Sequence, residues 1–368
     1  MKIVVVYATA GAGHKKAAQA IEAYLRVREP GADIALVDVI SQASSIFRFF
    51  YLWGYDFLIN HCQWLWAAVF YASSRPAFRA LFNTLTSGIQ YYNTRSFASY
   101  LVDMQPDVVV STHFLSSDIV SFLKGRGQVR ARLITIITDF GVHPLWLAPY
   151  TDFYCVASDA TRDILTGDGV PAAKIRVTGI PIDTKFTRLH DRKKIQERLG
   201  IDAQRPAVLV VTGSFGIGPI EEIVQKLCNE YVLLAVCARN KHLYDRLQDR
   251  AYPHTHVFGF VDNIDDLMAA ADVIITKPGG LTISELLYMD LIPLFIAPIP
   301  GQESMNVEIL HQAGIGSSIA GLRGIGPQVA QCIKDAPRIK ESIRTFKQTN
   351  AVSGIYDVIR TDSSGAAR

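Results

Sequence analysis

Acidic residues are nearly missing from one long stretch of this 368-residue chain: between Val39 and Val102 only Asp56 is negative, against Arg48, Arg75, Arg79 and Arg95. Cysteine is scarce too. Cys62, Cys155, Cys228, Cys237 and Cys332 are odd in number and never in CxxC spacing, so neither a disulfide framework nor a zinc site is supported, and a reducing compartment fits. No excess of one charge exists overall, since 37 Lys and Arg face 34 Asp and Glu for a net +3. A polyanion partner such as nucleic acid therefore has no whole-chain support. Within the acid-poor stretch no clean apolar run of about 20 residues is present to cross a bilayer. The opening Met1-Lys2-Ile3-Val4-Val5-Val6-Tyr7 lacks the charged start and cleavage site of a signal peptide, so export is not expected. Two motif absences matter for chemistry: no Asp-x-Asp pair occurs to hold a metal-bound diphosphate, and no Gly-Lys-Ser/Thr completes a P-loop.

What is present is an alternation of short apolar runs with helical stretches: Ile3 to Tyr7, Ile34 to Val39, Val108 to Ser111, Leu133 to Thr138, Phe153 to Ala157, then Ala207 to Thr212, Leu233 to Cys237, Val257 to Phe258, Val273 to Thr276 and Leu294 to Ile296. Continuous apolar strands between helices predict α/β structure with parallel sheets covered on both faces. The length fits two lobes. The charged stretch from Gly179 to Pro206, with one helical pattern over Lys193 to Leu199, places the boundary between residues 1–182 and 183–350. A tail over Thr361 to Arg368 is expected to fray.

Three glycine turns follow strands and open helices. Thr276-Lys277-Pro278-Gly279-Gly280-Leu281-Thr282-Ile283-Ser284-Glu285 puts backbone N–H groups at the positive end of a helix dipole, a cradle for phosphate. Glu285 one turn on, and the later cluster Gln302, Glu303 and Asn306, add groups suited to ribose and hexose hydroxyls. Together they suggest a nucleotide sugar. Thr212-Gly213-Ser214-Phe215-Gly216-Ile217-Gly218 carries more glycine than a turn requires and is the second candidate for diphosphate contact. The first turn, Ala10-Gly11-Ala12-Gly13-His14, has Lys16 where a dinucleotide fingerprint expects its third glycine, although Asp38 stands where that fingerprint places its ribose acid. His14 begins the following helix, where the dipole keeps imidazole neutral and able to accept a proton. Hydrogen bonding to nearby backbone is the structural alternative for it.

The acid-poor stretch holds Phe47, Phe49, Phe50, Tyr51, Trp53, Tyr55, Phe57, Trp64, Trp66, Phe70, Tyr71, Phe78 and Phe82, including three of the four tryptophans. Aromatics at headgroup level and arginines against anionic lipid make an interfacial helical segment the expectation. A buried helical insertion is the alternative.

Gly11-Ala12-Gly13-His14 with Ala17-Ala18, Thr138-Asp139-Phe140 with His143-Pro144 and Trp146, Thr178-Gly179-Ile180-Pro181, Val236-Cys237-Ala238-Arg239-Asn240-Lys241, Gly259-Phe260-Val261, Thr276 to Glu285, and Pro300-Gly301-Gln302-Glu303 with Asn306 together resemble the UDP-sugar:diacylglycerol glycosyltransferases. That group contains the monogalactosyldiacylglycerol synthases and processive diacylglycerol glucosyltransferases and is related to the enzyme that forms lipid II. The resemblance implies a GT-B fold, two Rossmann-like lobes facing across a cleft. It further implies an acceptor and membrane lobe at 1–182 with an aromatic insertion near 41–100, a donor lobe at 183–350, and a helix in 351–368 that crosses back.

The resemblance also assigns roles. His14 is the base, with Asp139, at a strand end, in reserve. Gly213, Ser214, Gly279 and Gly280 hold the diphosphate, beside Leu281 and Thr282. Phe260 and Val261 line the uracil pocket, Glu285 binds ribose, Gln302 and Glu303 grip the hexose, and Asn240 and Asn306 support the donor. Gly13, Trp53, Trp64, Trp66, His143 and Trp146 fall on the acceptor and membrane side. The implied activity is inverting, metal-independent transfer of glucose or galactose from a UDP-sugar to diacylglycerol by a peripheral protein at the cytoplasmic membrane face, with no cofactor. The implied partners are UDP-glucose or UDP-galactose, diacylglycerol and anionic lipids, with no nucleic acid. A polyprenol-linked acceptor, a non-catalytic nucleotide-sugar and membrane sensor, and a UDP-sugar epimerase are the competing readings. The loop Gly213-Ser214-Phe215-Gly216-Ile217-Gly218 is less glycine-rich than the plant pattern and leaves the hexose open.

Overall fold

The computed structural model describes residues 1–9, 11–75, 90–213, 215–319 and 321–361. Phe78, Arg79 and Phe82 of the acid-poor stretch, Ser214 of the second glycine turn and the tail from 362 lie outside them, as do the side chains of Tyr55, Asp56 and Asn60.

Two compact units divide the chain. The first comprises Met1–Asp183, Ile299–Met305 and Gln348–Arg368. Its parallel sheet runs β2-β1-β3-β4-β5-β6, built from Lys2–Tyr7, Asp33–Asp38, Val108–Ser111, Arg132–Ile136, Phe153–Val156 and Ile175–Val177. Central strands such as Ile3-Val4-Val5-Val6 are buried on both faces, as an apolar parallel strand with helices on either side must be. Helix Ala12–Arg28 covers one face with Ala18, Ile21 and Leu25, joined there by Ile355, Val358 and Ile359 of helix Ala351–Arg360. The opposite face carries Phe97, Leu101, Leu115, Ile119 and Leu123.

The second unit, Thr184–Pro298 with Asn306–Lys347, repeats the plan. Its parallel sheet runs β12-β11-β10-β7-β8-β9, from Ala207–Val211 (β7), Val232–Val236 (β8), Thr255–Phe258 (β9), Val273–Thr276 (β10), Ile292–Ile296 (β11) and Ser317–Ile319 (β12). The stretch Ile299–Met305, expected within 183–350, groups instead with the first unit. Its contacts there are close: Gly301, at φ +87°, presents its α-carbon to the ring of Phe70, and Gly141 does the same toward Met305. An added Cβ would stand 2.6 Å from the Phe70 ring and 2.4 Å from Met305 Cβ, so neither position has room for a side chain.

Two strands escape the sequence pattern. Both β6 and β12 are three-residue edge strands, Ile-Arg-Val and Ser-Ser-Ile, too short and too polar to register as apolar runs.

Candidate active site

Among its described residues the acid-poor stretch begins with two helices, Ser45–His61 and Gln63–Ser73, and ends in a third, Arg95–Met104. Ser44 caps the first by accepting from the Phe47 amide. One face of it, Phe47, Tyr51 and Leu52, packs on the sheet's helical layer. On the opposite face Phe49, Trp53 and Phe57, four residues apart, stack at 6.1 and 5.2 Å between ring centroids, the geometry of side chains one turn apart. All three are exposed, and Trp64 on the next helix is 73% exposed. No helix among the described residues is long and apolar enough to cross a membrane.

Between these helices and the C-terminal ends of the first sheet lies a cavity of about 390 Å³. Phe50, Tyr51, Gly54, Leu58, Trp66, Val69 and Phe70 line one wall, with His14, His113, Phe114, Asp139, His143, Trp146 and Gln302 among its other lining residues. Trp66 therefore lines the cavity, whereas Trp53 and Trp64 face outward. Ligands of parallel sheets gather at this end of the strands.

His14 stands in the first turn of its helix, just after Gly11 and Gly13. Gly11 is at φ +110°, a conformation only glycine adopts without strain. The Nδ1–H of His14 donates to the Thr112 carbonyl at 2.8 Å, with Thr138 Oγ1 at 2.9 Å from the same nitrogen. A carbonyl can only accept, so the proton sits on Nδ1 and Nε2 keeps its lone pair. Thr112 also donates its hydroxyl to the His14 carbonyl at 3.0 Å, pinning the backbone. Burial pushes the imidazole down to about 4 from its usual 6.5, against the raising effect of the Thr112 bond. The ring is neutral, as expected, but burial rather than the helix dipole is the main cause.

Neighbouring rings complete the floor. His113 meets His14 edge-on with centroids 4.6 Å apart, and Trp146, itself 5% exposed, lies 6.2 Å from His14. His113 was not singled out by sequence, because a lone histidine after a strand carries no spacing signal. Asp139 is buried and accepts from Gln302 Nε2 at 2.6 Å. His143 is a bracket: its Nδ1 accepts the Leu145 amide at 3.2 Å, and its Nε2–H donates to the Phe70 carbonyl at 3.0 Å, with Ser73 Oγ at 3.2 Å. That ties helix Gln63–Ser73 to the loop after β4. Asp38 likewise serves its own turn, accepting from the amides of Thr9 and Ile40, which occupies the carboxylate that a dinucleotide reading would assign to ribose.

In the second unit, β10 ends at the Lys277-Pro278-Gly279 turn, and helix Gly280–Tyr288 begins without a side-chain cap. Uncapped first-turn N–H groups are anion-binding positions. Leu281 and Glu285 share a buried helix face, and Thr282 is half-buried. Asn306 is fully buried and donates from Nδ2 to the Pro278 carbonyl at 3.0 Å, so it shapes the turn from behind. Asn240 does the same for the other loop: Oδ1 caps helix Lys241–Arg250 through the Leu243 amide, and Nδ2 donates to the Gly216 carbonyl at 3.2 Å. Gly213 (φ +95°) and Gly216 (φ +61°) both need glycine's freedom. Exposed Phe215 and Phe260 flank the Arg239 guanidinium at 6.0 and 5.6 Å, with Val261 beside Phe260. Gln302 and Glu303 belong to the first unit, where Glu303 also accepts the Ile299 amide at 2.8 Å. Among the described residues His190, Asp265 and Asp266 bring possible metal-ligand atoms together. Arg188 and Arg198 already neutralise the two carboxylates at 2.7 Å each.

The family model for monogalactosyldiacylglycerol synthase matches residues 14–182, and that for the glycosyltransferase family 28 C-terminal domain matches 207–322. A processive diacylglycerol β-glucosyltransferase of Staphylococcus epidermidis is 32% identical over 62% of this chain and 59% of that protein. The chain thus spans less than two thirds of the length of the first curated relatives it matches. The chloroplastic monogalactosyldiacylglycerol synthase of Spinacia oleracea is 31% identical over 90% of this chain and 66% of that one. Among solved structures, MurG of Acinetobacter baumannii superposes with a TM-score of 0.61 at 15% identity, covering 98% of this chain and 99% of that one. Such a likeness speaks to fold alone, and with the two six-stranded parallel sheets it makes the fold GT-B. Matched by consecutive glycosyltransferase models in its two units and by curated relatives along most of its length, the chain belongs to the glycosyltransferase family of the monogalactosyldiacylglycerol synthases and processive diacylglycerol glucosyltransferases.

Proposed function

We propose that the chain transfers glucose or galactose from a UDP-sugar to the free hydroxyl of diacylglycerol, with inversion at the anomeric carbon, at the cytoplasmic face of a membrane. The observation that carries this reading is His14, a neutral imidazole with its lone pair on Nε2, lining an apolar cavity walled by Phe50, Tyr51, Leu58 and Phe70. An apolar wall suits acyl chains and a base suits the one hydroxyl they carry.

In the reaction, His14 Nε2 takes the hydroxyl proton as the acceptor oxygen bonds to the anomeric carbon. The bond from that carbon to the β-phosphate oxygen breaks on the opposite face, and UDP leaves with the electron pair. Uncapped N–H groups at Gly280 to Thr282 and the Gly213 loop stabilise the charge on the leaving diphosphate, the role a metal takes in enzymes with an Asp-x-Asp pair. Phe260 and Val261 hold uracil and Glu285 holds ribose. Gln302, oriented by Asp139, and Glu303 select the hexose. The exposed ring row Phe49, Trp53 and Phe57 with Trp64 rests at the headgroup level, and Arg48, Arg75 and Arg95 favour anionic lipid. Relatives named for glucosyl and for galactosyl products both support a hexose donor.

The test is direct. The purified chain is incubated with labelled UDP-glucose, UDP-galactose or UDP-N-acetylglucosamine on vesicles containing diacylglycerol or a polyprenol-linked lipid, with and without EDTA, and the product is identified by mass and anomeric configuration. A β-hexosyl diacylglycerol that forms with EDTA present is the expected result. Product only on the polyprenol lipid, or none, overturns the proposal.

A further inference from the structure

Two histidines of this chain cap helical segments in the same way, His113 the α-helix Phe114–Gly125 and His143 the short turn Pro144–Trp146. His143 accepts the Leu145 amide through Nδ1 at 3.2 Å, and His113 accepts the Leu115 amide through Nδ1 at 3.1 Å. In each ring the capping nitrogen must be unprotonated, so the proton of the neutral ring lies on Nε2. His143 uses that second edge, donating to the Phe70 carbonyl. His113 does not: its Nε2–H has no hydrogen-bond partner among the described residues, although the residue is 2% exposed. Its ring is a wall of the cavity, edge-on to His14.

Elsewhere in the chain Ser44, Ser158, Asp191 and Asn240 cap helices with small polar side chains, the residues that do this at least cost. A histidine at the position before Phe114 brings a second polar edge that capping leaves unused, in a ring that lines the cavity, where a ligand acceptor can meet it. Burial, then the nearby His14, hold its imidazole well below the usual range, so it offers a donor and not a cation. The two rings at the cavity floor therefore carry opposite tautomers: His14 presents a lone pair and His113 an N–H.

We propose that His113 is an acceptor-contacting residue, whose Nε2–H donates to the ester carbonyl oxygen next to the diacylglycerol hydroxyl that His14 deprotonates. The assignment rests on diacylglycerol being the acceptor. Donation to the attacking oxygen itself would draw density from the nucleophile, whereas donation to the vicinal ester fixes the glycerol backbone and leaves the hydroxyl to His14. The pair thereby selects a hydroxyl that has an ester beside it.

The variant His113→Asn places an amide oxygen where Nδ1 caps the helix and removes the Nε2 donor. His113→Gln does the reverse. Wild type and both variants are assayed on short-chain dioctanoylglycerol and on its dioctyl ether analogue, which lacks the carbonyls, with thermal melting and UDP binding followed in parallel. Expected is an unchanged melting temperature and UDP affinity for His113→Asn, with kcat/KM for the ester acceptor about tenfold lower, the loss of one buried hydrogen bond. The ether should cost wild type a similar factor and His113→Asn nothing further. His113→Gln should melt lower yet keep most of the preference for ester over ether. Wild-type kcat/KM in His113→Asn, equal losses on ester and ether, or a ¹⁵N spectrum placing the His113 proton on Nδ1 would each overturn the assignment. Absence of product from the wild-type chain would instead overturn the acceptor reading itself.

Discussion

Gln302 donates from Nε2 to Asp139 Oδ2 at 2.6 Å, joining positions 163 residues apart within the first unit. The bond fixes which way the amide faces: with its nitrogen held by the carboxylate, Gln302 turns its carbonyl oxygen away from Asp139, toward the sugar in the proposed reading.

Asp139→Asn replaces a charge-assisted bond with a neutral one that leaves the amide free to flip. The kcat/KM should fall about 10- to 100-fold, mostly through a higher KM for the UDP-sugar, with discrimination between glucose and galactose donors weakened. Steady-state kinetics on both donors check this. A loss of about 10²-fold or more confined to kcat would mark Asp139 as the base.

His14→Ala should lower kcat by about 10²- to 10⁴-fold, the usual contribution of a general base, while UDP binding by calorimetry stays at the wild-type value. Near-normal turnover would remove His14 from the chemistry.

Burial holds His14 near 4 in the folded chain against 6.5 when exposed. Between those values the unfolded chain binds the extra proton, so stability is fully present above about pH 6.5 and drains away as pH falls through 4, by about 3 kcal/mol. Asp118, pushed up to about 7 by burial, acts in the opposite sense between about pH 4 and 7, stabilising most at low pH. Denaturant melts of wild type and His14→Phe from pH 4 to 7 isolate the histidine part: the gap between them should narrow or reverse as pH drops. For the same reason kcat/KM should show no inflection near 6.5.

Gly216→Ala forces a side chain at φ +61° and sets its Cβ 2.1 Å from the Cys237 carbonyl oxygen. The loop must move away from Asn240. UDP affinity should drop at least about tenfold with vesicle binding intact, as read by calorimetry and cosedimentation.

Charging the ring row, Phe49→Glu with Trp53→Glu, touches exposed side chains, so the melting temperature should hold. Cosedimentation with anionic vesicles should fall about tenfold or more. Undiminished binding would assign that face another role.

Much of this was legible in the sequence. Ten apolar runs marked ten of the twelve strands among the described residues, eight of them inner strands that burial on both faces keeps apolar; β6 and β12 are three-residue edge strands with too few apolar residues to register. The glycine turns were legible since backbone geometry dictates glycine at Gly213 and Gly216. What stayed hidden depends on contacts distant in sequence. Nothing around Asp139 announces Gln302, and the helical start at Gln302 is grouped with the first unit by contacts with Gly141 and Phe70 that no local pattern encodes. The cap and tautomer of His113 are likewise consequences of where β3 ends. The aromatic stretch invited two readings, interfacial or buried; helix Ser45–His61 packs Phe47, Tyr51 and Leu52 inward and leaves Phe49, Trp53 and Phe57 exposed.

That double-sided helix has a kinetic consequence. It forms the outer surface with Phe49 and Trp53 and the cavity wall with Tyr51, Gly54 and Leu58, so about 10 Å, the width of one helix, separates the exposed rings from the cavity proposed to take the acceptor. An acceptor reaching this wall from a leaflet is counted per unit area, not per unit volume. Rates should then follow the mole fraction of diacylglycerol among the surrounding lipids at fixed total lipid, and dilution with inert phospholipid should slow turnover as effectively as removing substrate.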